Sequence, residues 1–307
     1  MMGRRALPQP LLDRPATSPG SAVTWLEAAL LGLVQGVFMF VPVSSTAHLV
    51  LTQQWLIDRG SRLPPTDAPE LILFDLVVHV GTMVSVAVVL RRSLAALLRG
   101  AWRELRTRLA GEGVAGGRYL RLVALGLLCA LVTGVLGWPV SQIGGAVFTA
   151  PILIAVNLVI TGGILWWTDA AGPGRRGLDQ ITPAVAVAIG VAQAAALLPG
   201  LSRSGLTIAM ALLLGLRRRW AAEFSFFVAI PTIVGGSVAQ AALVAAEGQP
   251  LVVDGAAFAI GFVVAAVVGA VALAGVLALL YRARFRVFSI YVWLLAAAVA
   301  SGLLVIV

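Results

Sequence analysis

Two short polar segments interrupt an otherwise apolar chain, and each carries residue types that can handle a phosphate. The first is Ser44-Ser45-Thr46-Ala47-His48. Helix positions three or four apart share a face, so Ser44 and Ser45 can both approach His48. A hydroxyl beside an imidazole suits an activated nucleophile, or a phosphate site next to a general acid/base. The second segment is Ser202-Arg203-Ser204, which follows Pro199-Gly200. A guanidinium fork at the start of a helix, flanked by two hydroxyls, makes a cradle for an oxyanion or phosphate. Gln35, Thr46 and Thr207 add hydrogen-bonding groups on or beside these segments. The plainer alternatives are an arginine that snorkels to the interface and hydroxyls that bond back to helix carbonyls.

Carboxylates are scarce. Of 13 acidic residues, only Glu27, Asp75 and Glu223 lie in or at the edge of apolar runs. Charge inside a bilayer is costly and usually functional. Asp75 and His79 are four apart on one helix face, where the carboxylate can orient the imidazole or help to hold a cation. Glu223 is the other candidate cation ligand, with simple pairing to Arg217, Arg218 or Arg219 as the alternative. There is one cysteine, Cys129, and the only histidines are His48 and His79. An intrachain disulfide, a cysteine-rich metal site and a three-histidine zinc site are therefore excluded.

These groups have to be positioned by helices in a membrane. The 307 residues are 60% apolar and 11% charged, with mean hydropathy +0.99. A soluble domain is about 25% charged, so a water-soluble enzyme is excluded. The net charge of +9 sits between apolar runs and reads as membrane orientation rather than a nucleic-acid surface. Spanning about 30 Å takes about 20 apolar residues in a helix. Six runs qualify, near 71–90, 122–141, 149–168, 220–244, 255–280 and 287–307. Residues 25–57 and 181–216 do not, because Pro42 and Pro199-Gly200 break them beside the polar segments. Each reads as two half-helices joined at membrane depth, tolerated only where protein or water covers the backbone. Two ordinary kinked spans are the alternative.

Arginine placement orders these pieces. Arg91, Arg92, Arg99, Arg103, Arg106, Arg108 and Arg118 crowd one loop, and further arginines flank 181–216 at both ends. By the positive-inside rule these loops are cytoplasmic. The segment 181–216 must then enter and leave on the cytoplasmic side, and 25–57 on the outer side. Residues 1–22 form a flexible tail, and 23–307 form one membrane domain. The expected fold is all-α and integral to the membrane: six transmembrane helices plus two re-entrant helical hairpins. The halves, about 24–168 and 181–307, have inverted topology, and transporter-like folds of this plan place their site where the breaks meet.

The segment from Gln35 to Leu49, read Gln-Gly-Val-Phe-Met-Phe-Val-Pro-Val-Ser-Ser-Thr-Ala-His-Leu, resembles the signature of the bacitracin-resistance type undecaprenyl-diphosphate phosphatase family. So does Pro199-Gly200-Leu201-Ser202-Arg203-Ser204-Gly205-Leu206-Thr207-Ile208, the most specific block. Phe74-Asp75-Leu76-Val77-Val78-His79-Val80-Gly81-Thr82 and Ala221-Ala222-Glu223-Phe224-Ser225-Phe226 with Pro231 look like two further blocks. The resemblance implies a phosphoanhydride hydrolase of the bacterial cytoplasmic membrane, acting at its outer face. Such an enzyme takes the terminal phosphate from undecaprenyl diphosphate, recycles the lipid carrier of cell-wall synthesis and lowers bacitracin sensitivity. It also implies a polyprenyl diphosphate partner and a divalent cation, Mg²⁺ or Ca²⁺. Carried over by motif, His48, Ser45 and Arg203 are catalytic, with Ser44, Thr46, Ser202, Ser204, Thr207 and Gln35 around the phosphate. The oligomeric state is left open, a homodimer included.

One departure matters. The family motif normally carries a glutamate where this chain has Met39, and Phe38 and Ala47 also replace the usual residues. A thioether cannot hold a hard cation or move a proton. The alternative function is a carrier that flips a polyprenyl phosphate without cleaving it, or a degenerate family member. A loose similarity to metal-independent, histidine-nucleophile lipid phosphatases fails because no second histidine follows Arg203.

Overall fold

A computed structural model describes residues 23–66, 68–111, 117–148, 151–170, 174–246, 253–282 and 285–303. The expected flexible tail, 1–22, lies outside the described residues. The described residues form α1 (Trp25–Phe38), α2 (Ser45–Asp58), α3 (Pro69–Val89), α4 (Arg91–Leu109), α5 (Arg118–Phe148), α6 (Pro151–Ala170), α7 (Pro183–Ala195), α8 (Arg203–Leu213), α9 (Arg218–Ala246), α10 (Gly255–Arg282) and α11 (Arg286–Ala300).

Five helices contain stretches long and apolar enough to cross a membrane: Pro69–Val89, Arg118–Ser141, Pro151–Asp169, Arg218–Ala246 and Gly255–Tyr281. The chain is thus a multi-pass membrane protein. The sixth expected span falls on α11, whose 15 residues rise only about 22 Å. The arginine-rich segment expected as a loop contains α4, 19 residues long. Its apolar Leu98, Trp102, Leu105 and Leu109 recur at three- and four-residue steps and are exposed, while arginines occupy much of the remaining surface. That pattern makes an amphipathic helix, of the kind that can lie in a membrane interface.

The two interrupted segments are helical pairs whose ends come back together. In the first, the Ser61 hydroxyl, just beyond α2, donates to Glu27 Oε1 in the first turn of α1 (2.5 Å). In the second, Arg176, ahead of α7, pairs in parallel with Leu216, beyond α8. Arg176 N donates to Gly215 O (2.8 Å) and Arg217 N to Arg176 O (3.0 Å). Each pair therefore brings its two outer ends together.

Close backbone approach holds the first pair against α10. A Cβ on Gly32 would sit 2.6 Å from Gly261 O, and one on Gly36 would sit 2.9 Å from Gly269 N. Small residues four apart on both helices create this seam, as is usual where helices meet inside lipid. Gly190 on α7 meets Cys129 O of α5 in the same manner. The packing repeats between the halves: α1 lies on α10 as α7 lies on α5, and α3 lies on α10 as α9 lies on α5. The pairs α3 with α9 and α6 with α11 join like to like.

Candidate active site

The two breaks meet. The Ser204 hydroxyl donates to Val41 O (3.3 Å), and a Cβ on Gly205 would lie 3.4 Å from the Pro42 ring. The second break is fixed from behind by α6. Asn157 Nδ2 donates to Pro199 O (2.7 Å), Thr161 Oγ1 donates to Gly200 O (3.0 Å), and Ser202 N donates to Thr161 Oγ1 (3.2 Å). Gly200 has φ +91°, and a side chain there would meet Ile154 O at 2.6 Å. Only glycine fits that turn.

Two helix N-termini open onto this junction, since α2 begins at Ser45 and α8 at Arg203. They are capped differently. Ser202 Oγ accepts from Gly205 N (3.2 Å), closing the first turn of α8. Ser44 makes no such bond to α2. It stands in the left-handed region at φ +68°, alone among the described non-glycine residues, and its Oγ is buried without a partner. Such a conformation costs about 1–3 kcal/mol and collects at functional sites. The first amides of α2 are thus left without a side-chain cap, and their partial positive charge suits an anion.

Met39 stands at the centre. Its Sδ lies 3.3 Å from Gln35 Nε2, 3.7 Å from Ser45 Oγ and 3.5 Å from Arg203 Nη2. A thioether is a weak acceptor, so it leaves these donors largely unspent. Arg203 Nη1 and Gln35 Oε1 are buried with no partner, as is Ser44 Oγ. Buried polar atoms normally find partners. Three orphans around one junction mark a place for a polar ligand.

The remaining candidates divide into neighbours and supports. Ser45 and Thr46 are half-buried in the first turn of α2. Ser202, Ser204 and Thr207 spend their hydroxyls on backbone, Thr207 on Arg203 O (2.8 Å), and so hold Arg203 in place from behind. His48 is buried; its Nδ1 bonds Ser44 O (2.8 Å) and its Nε2 meets the Tyr291 hydroxyl (2.7 Å). A carbonyl only accepts, so Nδ1 carries the proton and Nε2 the lone pair. The ring also stacks on Phe38, with centroids 3.9 Å apart. The described contacts of His48 are therefore to Phe38, Ser44 and Tyr291 rather than to Arg203.

The second imidazole is that of His79, on α3. Its Nδ1 donates to Asp75 O (2.7 Å), which again leaves the lone pair on Nε2. The Asp75 side chain does not orient His79; Oδ1 accepts from Gln53 Nε2 (2.8 Å) on α2. Sequence reasoning missed Gln53 and Tyr291. Gln53 was findable, because Ser45, Leu49 and Gln53 recur at four-residue steps and so share one face of α2. Glu223 is set apart, ion-paired through Oε1 to Arg219 Nε (2.8 Å).

The donor set does not fit a protein-held divalent cation. Among the described residues, no group of three or more His, Cys, Asp or Glu side chains converges. A thioether occupies the centre, with a guanidinium against it, where a hard ion needs oxygen.

The family model described as Bacitracin resistance protein BacA matches residues 28–298. The chain belongs to that family. Among BacA relatives, a protein of Alkalilimnicola ehrlichii named undecaprenyl-diphosphatase is 54% identical over 287 residues, covering 91% of this chain and 97% of its own length. One of Halorhodospira halophila with the same name is 50% identical over 279 residues, with the same coverage of each. One of Carboxydothermus hydrogenoformans is 34% identical, covering 89% and 95%.

Proposed function

We infer that this BacA-family chain is an undecaprenyl-diphosphatase, a membrane phosphatase that hydrolyses undecaprenyl diphosphate to undecaprenyl phosphate and inorganic phosphate. The observation that carries it is the meeting of Arg203 with the uncapped start of α2 around three orphaned polar atoms. The relatives' shared name gives the substrate.

Arg203 and the first amides of α2 bind the terminal phosphate, with Ser44, Ser45 and the Gln35 amide completing its shell. Water attacks the terminal phosphorus, directly or after the phosphoryl group has passed to the Ser45 hydroxyl, and in the second case it releases inorganic phosphate from the phosphoserine. The first attack, by water or by Ser45, is in line with the bridging oxygen. The P–O bond to that oxygen breaks, and the prenyl phosphate leaves. An imidazole Nε2 takes the nucleophile's proton. The family resemblance assigns this to His48, which must first give up Tyr291. A second reading assigns it to His79, because its Nε2 has no described partner. The variants His48→Gln and His79→Gln separate the two. Arg203, two helix dipoles and the hydroxyls balance the developing charge without an adjacent carboxylate.

The paired ends of both interrupted segments and the repeated packing support an inverted repeat with two re-entrant hairpins in one membrane domain of residues 23–307. The positive-inside rule then opens the first hairpin to the outer face of a bacterial cytoplasmic membrane. The test is product analysis with purified protein in vesicles. Undecaprenyl phosphate and free phosphate in equal amounts support the assignment. Prenyl phosphate carried across the bilayer with no phosphate released from the diphosphate replaces it with the flippase.

A further inference from the structure

A cavity of about 430 Å³ lies apart from the junction, between α4, α5 and α9. Its walls are apolar, with Leu97, Leu122, Phe224, Phe227, Val228 and Pro231 among them. Leu98 and Leu127 line it and are also 55% and 57% exposed, so in a membrane its mouth faces acyl chains.

One carboxylate is part of this lining. Glu223 is only 3% exposed; Oε1 is bound to Arg219, but Oε2 is buried and has no hydrogen-bond partner. A carboxylate oxygen only accepts, so it calls for a donor from whatever fills the cavity. Arg118 also lines the cavity and is half-exposed, in an ion pair with Asp179 (2.5 Å). Exposed pairs of this kind are weak and exchange readily, so the guanidinium is available to an anion. Apolar walls, a buried acceptor and a cation match an amphiphile with one donor and one anionic group in its head.

We propose that this cavity binds one phospholipid with a primary-amine headgroup, taken from the leaflet that meets α4. The ammonium donates to Glu223 Oε2, the phosphate pairs with Arg118, and an acyl chain lies along Phe224 and Val228. A choline head has no N–H to give. A glycerol head has hydroxyls but no positive charge to set against the carboxylate.

The test is native mass spectrometry of the full chain, titrated with phosphatidylethanolamine, phosphatidylcholine and phosphatidylglycerol of identical chains. The expected result is one ethanolamine lipid held at least about tenfold more tightly than the choline lipid, the advantage of a charge-assisted hydrogen bond. Glu223→Gln is expected to remove most of that preference. Gly126→Leu is expected to block occupancy by all three lipids, because Gly126 lines the cavity and a Cβ there meets nothing closer than Val228 Cγ2 at 3.9 Å. Equal binding of the three lipids, tighter binding of the glycerol lipid, an unchanged preference in Glu223→Gln, or full occupancy in a folded Gly126→Leu protein would each overturn the proposal.

Discussion

The Met39 thioether lies 3.5 Å from Nη2 of Arg203, across the line where the two interrupted helical pairs touch. Where BacA-type motifs carry a glutamate, this chain sets a neutral, soft atom against its buried guanidinium. A carboxylate there would pair with Arg203 and occupy it, or would need a cation to release it. The thioether leaves Nη1 of Arg203 buried without a partner.

Met39→Glu is therefore expected to make hydrolysis more dependent on divalent cation than it is in the wild-type chain. Phosphate release is measured across a Mg²⁺ titration with and without chelator. Chelation should cost the variant at least about tenfold more than it costs the wild type, since an unrelieved carboxylate would hold Arg203 in a buried pair. Equal sensitivity would show that position 39 does not set the charge balance of the site.

Tyr291→Phe removes the hydroxyl that meets His48 Nε2 at 2.7 Å. If His48 carries the proton, freeing that nitrogen should leave turnover intact or raise it, while His48→Gln lowers it by about 10²–10⁴-fold. If His79 carries it, His79→Gln takes the larger loss. Steady-state rates of the three variants decide.

Gly36→Val is expected to destabilise the fold by about 1–3 kcal/mol, because a Cβ there would meet the α10 backbone, which must shift. Its unfolding temperature in detergent should fall by several degrees. The same change at Gly134, where a Cβ meets nothing within 4 Å, should have a much smaller effect.

Single cysteines report the topology. Gly60 and Gly111 both have open space around them and lie beyond α2 and α4. With the buried Cys129 replaced by alanine, a membrane-impermeant thiol reagent should label a cysteine at 60 in intact cells. A cysteine at 111 should react only after the membrane is opened. Labelling of both from outside would contradict the inverted arrangement.

Much of this was legible in the sequence, for identifiable reasons. Pro42 and Pro199-Gly200 interrupt apolar runs that are otherwise continuous, so the breaks and their polar residues announce themselves. That Arg203 lies by the first break is set by tertiary packing between distant segments rather than by local spacing. Residues 91–109 have the composition of a loop, because six of the seven arginines between 91 and 118 fall among them. The stripe of Leu98, Trp102, Leu105 and Leu109 was the helix signal. Ser202, Ser204 and Thr207 are phosphate-ligand types by sequence, and the backbone bonds they also make are of the kind that hydroxyls near a helix start form whatever else they bind. The bond between His48 and Tyr291 joins positions 243 residues apart, a relation that no spacing rule encodes.

Phosphate release from undecaprenyl diphosphate by the wild-type chain, set beside Arg203→Ala and Arg203→Lys, bears most directly on the junction as an anion site. Loss of the guanidinium should lower kcat/KM by at least about 10²-fold, with lysine recovering only part because it lacks the fork. Wild-type release no faster than that of Arg203→Ala would contradict a phosphatase built on these two breaks.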